Sequence, residues 1–316
     1  LAVDRVLTGM TTVQAGRALA VIPSSNRAAC GPRRGVVGVR PLRPLGSRFG
    51  LVSLESEGGR VGRLPRVRRR QPLGFSFRLA VFLIWPFMRT MVTWEFSGTQ
   101  RLTDAEGGII VAPNHVSWFD PPVVAYALWE ADRPPRFLGK ESVFRVPVFG
   151  RIISHAGQIP VYRESADASS AIRDAITALD RGDCVVVYPE GTMTRDPGLW
   201  PMSGKTGAVR LALTSGRPLF PLVHWGTQAV MRPYVKEFRI LPRKTIHIAV
   251  GDPIDLSDLA GRPADASTLA EGTERLMDAI TDLEAALRGE TPPATRMVFR
   301  RHPDGPGPVA PDQPAS

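Results

Sequence analysis

Short apolar runs rich in β-branched residues recur from residue 107 onward and alternate with stretches in which the apolar residues have helical spacing. Apolar runs of about four to eight residues, bounded by Gly, Pro or Asp, are typical of strands. The runs predict strands at 108–112, 136–139, 158–162, 184–188, 219–223 and 245–250. These runs form the predicted framework of a central sheet.

Helical spacing separates the predicted strands at 122–130, 168–180 and 205–214, and a longer helix is predicted at 268–288. In the second of these, Ile172, Ile176 and Leu179 share one face, and Gly182 follows as a stop signal. The apolar stripe on 268–288 is interpreted as a packing surface. Because strands alternate with helices, the predicted fold is α/β, with a largely parallel central sheet flanked by helices.

The segment 71–100 is dense in aromatic residues, and Arg78 and Arg89 flank its most apolar run. This run is too short to span a bilayer, which needs about 20 apolar residues. Aromatic residues and arginines suit the boundary of a membrane, where each keeps one end in water. We therefore expect a helical membrane-interface segment that precedes the sheet, with Trp85 and Trp94 among its anchors. The alternative is a buried core helix.

Charge is distributed unevenly along the chain. Residues 1–70 contain 14 Arg, no Lys and 3 acidic residues, whereas the whole chain has a net charge of +10. This segment is rich in Gly, Pro and Ser and has no sustained period, which predicts disorder. Three interpretations of residues 1–70 are open: a solvated tail, an artefact of the assigned start, or an arm that binds anionic lipid or nucleic acid. The folded domain is predicted at 101–288, and the Pro-rich residues 289–316 are predicted to be a disordered tail.

Three polar residues follow the strand predicted at 108–112: Asn114, His115 and Asp120. Open α/β sheets bind their ligands beyond the carboxyl ends of the strands. A histidine can act as a base near neutral pH if a carboxylate holds its second ring nitrogen, and a turn could bring Asp120 to His115. The alternatives are a structural loop histidine and an Asp120 that caps the next helix. The other histidines are scattered without metal-ligand spacing, so no metal site is predicted.

Two further strand ends carry residues suited to an anionic ligand. Glu190, Gly191 and Thr192 follow the strand at 184–188, where glycine lets the backbone approach a ligand and amides can face an anion. Arg195 and Lys205 follow as basic candidates. The strand at 158–162 is followed by Arg163, and an arginine at such an edge can grip a phosphate with two hydrogen bonds. When each motif is taken alone, the alternative for 190–192 is a plain turn, and the alternative for Arg163 is a solvated surface arginine.

These segments together resemble the motifs of the glycerophospholipid acyltransferase family. Asn114, His115 and Asp120 match the family's Asn-His-x4-Asp motif. Gly157 and Arg163 fall on its Gly-x-Ile-x-x-x-Arg strand, with Ile159 between them. The resemblance covers about residues 75–260.

The third family motif, Phe-Pro-Glu-Gly-Thr-Arg, is matched by Tyr188-Pro-Glu-Gly-Thr192 with one departure. Met193 stands where the family has Arg, and Arg195 follows two residues later as a candidate substitute. We expect this departure to affect which acceptor headgroup is bound more than which reaction is catalysed. The proline-containing run 219–223 resembles the fourth motif.

The resemblance implies an O-acyltransferase in which His115, oriented by Asp120, removes the proton of an acceptor hydroxyl as that oxygen attacks an acyl thioester. The residues implied in acceptor binding are Asn114, Arg163, Glu190, Gly191 and Thr192, with Arg195 and Lys205 as weaker candidates. The leading acceptor is 1-acylglycerol 3-phosphate, which gives phosphatidic acid. The alternatives are another lysophospholipid or glycolipid acceptor, and a non-catalytic lipid-binding protein on the same scaffold.

The partners implied by the resemblance are a lysophospholipid acceptor, acyl-CoA or acyl-carrier protein as the donor, and a membrane lipid surface. No cofactor, metal ion or nucleic acid is expected. Cys30 and Cys184 are the two cysteines of the chain, which does not favour a disulfide framework and fits a reducing compartment. We therefore expect a peripheral protein on the cytoplasmic face of a membrane.

Overall fold

The six predicted strands and one further strand, which was not predicted, pair into one sheet in the computed structural model, which describes residues 85–145, 150, 151, 154, 157–161, 168–235 and 237–299. The strands are β1 (Val92–Ser97), β2 (Ile109–Pro113), β3 (Pro135–Lys140), β4 (Ile159–Val161), β5 (Cys184–Val186), β6 (Leu219–Trp225) and β7 (Lys244–Val250). Their order across the sheet is β1-β7-β6-β2-β5-β3-β4. The predicted α/β class is confirmed.

Most of the sheet is parallel, as predicted. Strands β6, β2, β5, β3 and β4 all run in one direction. Strand β7 runs antiparallel to β6, and β1 is parallel to β7. Because β2 lies between β5 and β6, the carboxyl ends of these three strands meet at one edge of the sheet. The loops that carry the candidate residues leave the sheet at this edge.

Helices cover both faces of the sheet. They are α1 (Gln100–Asp104), α2 (Asp120–Glu130), α3 (Glu141–Phe144), α4 (Ala168–Asp180), α5 (Gly207–Ser215), α6 (Thr227–Val230) and α7 (Ala266–Arg288). Side chains of β2 alternate between two hydrophobic clusters: Ile109 and Val111 join the one that contains α2, and Ile110 and Ala112 join the one that contains α4, α5 and α7. This alternation follows from the period of two in a strand.

The segment 71–100 differs from its prediction. Residues 85–91 are helical, but Val92–Ser97 form β1, paired with β7. The prediction of a helix is therefore wrong for β1, because Val92 and Trp94 are buried while Thr93 and Glu95 are exposed, which is the alternation of a strand. Residues 71–84 lie outside the described residues.

The two tryptophans proposed as membrane anchors are tied into the protein. Trp94 is 8% exposed and stacks on Tyr126 at 4.3 Å between ring centroids. The Trp85 ring nitrogen donates a hydrogen bond to Glu130 at 2.7 Å, and its ring packs against the core. The assignment as a membrane anchor is therefore wrong for the buried Trp94, and for the half-buried Trp85 it stays a prediction. Within the part of the chain that the structure describes, no helix combines the length and the hydropathy that crossing a bilayer requires.

The two predicted tails are only partly described. Residues 1–70 and 300–316, predicted to be disordered, lie outside the described residues. Residues 290–299 form neither helix nor strand, yet they contact the folded domain. The Met297 carbonyl accepts the Ser203 N–H at 2.9 Å, and Arg296 pairs with Asp278 and Glu274 of α7. The prediction of a loose tail from residue 289 is therefore wrong for this stretch.

Candidate active site

His115 and Asp120 are in contact on the turn that joins β2 to α2. His115 Nδ1 is 2.8 Å from Asp120 Oδ2, and the same oxygen accepts the backbone N–H groups of Val116 and Ser117, each at 2.7 Å. The turn thus brings together two residues that a straight helix would hold apart. The N-cap residue of α2 is Phe119, so the alternative reading of Asp120 as a cap is wrong. Its carboxylate instead closes the His115 turn.

The electrostatics of this pair favour an ionised Asp120. Burial alone would raise the pKa of Asp120, but nearby His224 and the hydrogen bond from His115 outweigh it and hold that pKa below its usual value. A carboxylate at Nδ1 stabilises the His115 tautomer that carries its proton there. The His115 side chain is 15% exposed, so Nε2 is left to receive a proton. The pair has the arrangement of an oriented general base.

The loop after β5 contacts His115 from a second side. The ring of Tyr188 lies 4.4 Å from the ring of His115, measured between centroids. Thr194 donates its backbone N–H to the His115 carbonyl at 2.7 Å. The first and third sequence motifs therefore meet in one site.

Glu190 is buried in this loop with one carboxylate oxygen satisfied. Its Oε2 accepts the backbone N–H of Met202 at 3.1 Å. Its Oε1 has no hydrogen-bond partner within the described part of the chain. Burial raises the pKa of Glu190 to about 8, although the hydrogen bond from Met202 favours the carboxylate. A protonated Glu190 can donate a hydrogen bond as well as accept one.

The raised pKa of Glu190 predicts a pH-dependent cost to stability. Between pH 4.5, its ordinary pKa, and about 8, the folded protein keeps a proton that the unfolded chain releases. Glu190 should therefore lower the free energy of unfolding as pH rises through this window, by about a few kcal/mol. Relative to wild type, Glu190→Gln should gain stability with rising pH. Urea unfolding across this range measures the difference, and parallel stability curves would contradict the buried, protonated state.

Gly191, Thr192 and Lys205 lie around the same loop. Gly191 has a φ of +67°, and a Cβ there would come within 3.1 Å of the Lys205 side chain. Glycine is thus favoured both by the backbone conformation and by the space available. The backbone N–H of Lys205 donates to the Pro189 carbonyl at 2.8 Å, and Thr192 is half-buried. The predicted third motif is therefore a closely held loop.

The two basic motif residues have different positions. The Arg195 guanidinium lies over the rings of Tyr234 and Phe299, 4.9 and 4.8 Å from their centroids. Met193, at the position of the family's Arg, is buried, and its carbonyl accepts the Tyr234 hydroxyl at 2.8 Å. Arg163 lies outside the described residues, so its phosphate contact stays a prediction.

Asn114 is buried, and its side chain has internal partners. Its Nδ2 donates to the His224 carbonyl at 3.1 Å and to Glu284 Oε2 at 3.0 Å. Its Oδ1 accepts the His224 backbone N–H at 3.0 Å. Both amide hydrogens are therefore in use, which ties the start of the His115 turn to β6 and α7.

Sequence reasoning missed Glu284, which it left within a packing stripe. Glu284 Oε1 is 3.0 Å from Arg288, whose guanidinium lies between Trp200 and Trp225, at 3.9 and 4.2 Å from their ring centroids. A signal was present, because Glu284 follows Ile280 by four residues on the apolar face of the helix. A carboxylate at such a position needs a buried partner.

His224 was also missed, since nothing in the sequence links it to His115. It is fully buried at the end of β6, with Nε2 3.1 Å from the Asn114 carbonyl. Its Nδ1 is 3.7 Å from Asp120 Oδ1. Burial lowers the pKa of His224, although the charge of Asp120 opposes this effect. Asp120 thus lies between two imidazole rings.

The fold and the motifs of the site are similar to those of acyltransferases. The family model described as Acyltransferase matches residues 94–225, which include β1, the His115 turn and the Glu190 loop. The crystal structure of the 1-acyl-sn-glycerophosphate (LPA) acyltransferase PlsC from Thermotoga maritima shares the fold, with a TM-score of 0.51 and 20% identity over 69% of this chain and 81% of that one.

Curated relatives narrow the class further. A 1-acyl-sn-glycerol-3-phosphate acyltransferase of Bacillus subtilis is 27% identical over 183 residues, which is 58% of this chain and 84% of that protein. A chloroplastic one of Brassica napus is 28% identical over 149 residues, 47% of this chain. Over residues 94–225 the chain is therefore similar to the acyltransferase family that includes these enzymes. It spans 40% of the length of the Brassica relative and 45% of a chloroplastic relative from Arabidopsis thaliana.

Proposed function

We propose that the protein transfers a fatty acyl group from a thioester to the free hydroxyl of 1-acylglycerol 3-phosphate, giving phosphatidic acid. The observation that carries the proposal is the contact between His115 and the buried Asp120, at the edge of the sheet where such folds bind ligands. The relatives named for this activity support the choice of substrate. The thioester is acyl-CoA or acyl-carrier protein.

The chemistry is a direct attack with His115 as the base. His115 Nε2 takes the proton of the acceptor hydroxyl while that oxygen bonds to the thioester carbonyl carbon. The tetrahedral intermediate then collapses, the carbon–sulfur bond breaks, and the imidazolium returns the proton to the thiolate. Asp120 stabilises the imidazolium between these two steps, as a carboxylate does in related triads.

Acceptor binding is assigned to the loop after β5. Glu190, with its unsatisfied buried Oε1, hydrogen-bonds a glycerol oxygen, and Gly191 and Thr192 place backbone and hydroxyl groups beside the phosphate. Arg195 and Lys205 contribute positive charge. For Asn114 we propose positioning of the His115 turn in place of the predicted substrate contact, because its amide is fully used internally.

Arg163 is proposed to bind the acceptor phosphate. Losing a charge-assisted hydrogen bond costs about 1.5–3 kcal/mol, so Arg163→Ala should raise the KM for the acceptor by about 10- to 150-fold. The KM for the donor should be nearly unchanged. Steady-state kinetics with each substrate varied in turn measure both values. An acceptor KM equal to that of the wild type would show that Arg163 has no role in phosphate binding.

A second acceptor class has specific support. A lyso-ornithine lipid O-acyltransferase of Pseudomonas aeruginosa is 28% identical over 175 residues, 50% of this chain and 65% of that protein. In addition, the buried Met193 replaces the arginine of the family motif. Both observations favour testing acceptors that lack a phosphate, including glycolipids.

The test is an assay of the purified protein against a panel of lysolipids with labelled acyl-CoA and acyl-carrier protein. Preference for 1-acylglycerol 3-phosphate is the expected result. Preference for lyso-ornithine lipid would change the proposed acceptor and leave the proposed acyl-transfer reaction unchanged. Binding of lysolipids without turnover would favour the non-catalytic alternative. We propose that the protein acts as a peripheral protein at the cytoplasmic face of a membrane, where its lipid substrates reside.

A further inference from the structure

Exposed apolar side chains are concentrated in one region of the described surface. Trp118 is 56% and Leu241 is 82% exposed, far more than large apolar residues in a core. The group also includes Phe87, Tyr234, Val235 and Phe238. We call these six residues the aromatic surface. An apolar surface of this kind marks a site of interaction with a partner or a membrane.

The aromatic surface joins three segments of the chain. Phe238 stacks on Phe87 at 6.4 Å and meets the edge of Phe119 at 5.5 Å, between ring centroids. Arg243 Nη2 donates to the carbonyls of Arg89 and Val92, at 3.1 and 2.9 Å. These contacts fix Phe238 and Arg243 on the helical stretch 85–91 and on the turn before α2, so the exposed residues come from neighbouring segments of the chain.

Positive charge is interleaved with these apolar residues. The segment 231–243 contains four basic residues and one acidic residue, Glu237, which pairs with Arg239 at 2.8 Å. Arg232 and Arg243 flank the exposed Tyr234 and Leu241 along the chain. Alternating arginine and apolar side chains suit a lipid surface, where apolar tips enter the acyl boundary and arginines reach phosphates.

The aromatic surface borders the candidate active site. Ser117, two residues after His115, donates its hydroxyl to the Met231 carbonyl at 2.6 Å. Tyr234 donates its hydroxyl to the carbonyls of Met193 and Thr194, at 2.8 and 3.1 Å. The Tyr234 ring also faces Arg195. A lipid surface bound here would meet the loops that carry His115 and Glu190.

We infer that the aromatic surface docks on a lipid bilayer with anionic headgroups. It thereby replaces the buried Trp94 as a membrane contact, and it delivers lipid substrates to the adjoining site. This goes beyond the proposed function, because bilayer docking is measured without turnover and holds for any lipid acceptor.

The test compares matched double variants of the full chain by co-sedimentation with vesicles. Phe238→Ser/Leu241→Ser removes two exposed apolar side chains from the aromatic surface. Met297→Ser/Val298→Ser removes two others, 40% and 62% exposed, from the segment held along α7. Vesicles of phosphatidylcholine alone and with phosphatidylglycerol separate the apolar contribution from the electrostatic one.

Phe238→Ser/Leu241→Ser should bind vesicles at least about tenfold more weakly, or about 1.4 kcal/mol, whereas the control should bind like wild type. Arg232→Gln/Arg239→Gln should lose binding only to anionic vesicles, by about fivefold for each charge removed, and this second variant keeps the test valid if the first unfolds. The Phe238/Leu241 variant should keep its turnover of a monomeric short-chain lysolipid.

Wild-type vesicle binding by both surface variants would overturn the inference, as would an equal loss in the control. A third outcome is that the wild-type protein forms dimers, that the Phe238/Leu241 variant does not, and that both bind vesicles equally. This outcome would assign the aromatic surface to contacts between copies of the chain. Absence of turnover with normal vesicle docking would refute the proposed function and leave this inference standing.

Discussion

Replacing His115 with alanine should lower kcat by at least about 10²–10⁴-fold, the usual contribution of a general base. This corresponds to about 3–5 kcal/mol of transition-state stabilisation. The loss should appear in kcat, because His115 Nε2 acts on the proton that moves during attack. The expected fold change is large because alanine removes the whole imidazole, including the Nε2 that takes the proton and the Nδ1 that Asp120 holds at 2.8 Å.

Steady-state assays of purified His115→Ala measure this effect. His115 is partly exposed, so its loss should leave thermal unfolding close to that of the wild type. His247→Ala is a matched control, since His247 lies on β7, two strands away from β2, and its side chain pairs with Glu95 at 2.9 Å. Near-normal turnover by folded His115→Ala would exclude the proposed mechanism.

Replacing Asp120 with asparagine should lower kcat by about 10²–10⁴-fold with the fold retained. The asparagine oxygen can replace Oδ2 and accept the N–H groups of Val116 and Ser117. Its NH2 group would then lie where Oδ1 faces His224 Nδ1 at 3.7 Å. The turn is therefore preserved, while the negative charge that stabilises the His115 imidazolium is lost.

The diagnostic for Asp120→Asn is the combination of two measurements. The unfolding midpoint should change little, and kcat should fall while the acceptor KM stays nearly constant. A loss confined to KM would instead assign Asp120 to substrate binding. A large loss of stability would mean that the carboxylate matters mainly for holding the turn.

Most of the sheet could be predicted because its strands are short apolar runs with clear boundaries. Strand β1 could not, since its aromatic residues continue an apolar stretch that begins before residue 85. Trp94 is of a residue type common in membrane anchors, but its spacing from the neighbouring apolar residues is that of a buried strand residue. Only pairing with β7 distinguishes the two, and that pairing joins residues distant in sequence.

The candidate site was predictable where its chemistry is local. His115 and Asp120 are close along the chain, and Glu190, Gly191 and Thr192 are consecutive. Glu284 and His224 escaped prediction because they reach the site across a packed interface, Glu284 through Asn114 and His224 beside both Asn114 and Asp120. Such contacts depend on how α7 and β6 pack beside β2, and no spacing of residues in a single sequence predicts that packing.

Direct acyl transfer from the thioester to the lysolipid fixes the stoichiometry of the products, which can be measured. Purified protein is incubated with an acyl thioester and a lysolipid, and the released thiol and the acylated lipid are quantified together by thiol titration and mass spectrometry. Direct transfer should give equimolar thiol and phosphatidic acid when 1-acylglycerol 3-phosphate is the acceptor, and no thiol release without an acceptor. Thiol release with free fatty acid as the sole product, or no release with any lysolipid, would contradict it.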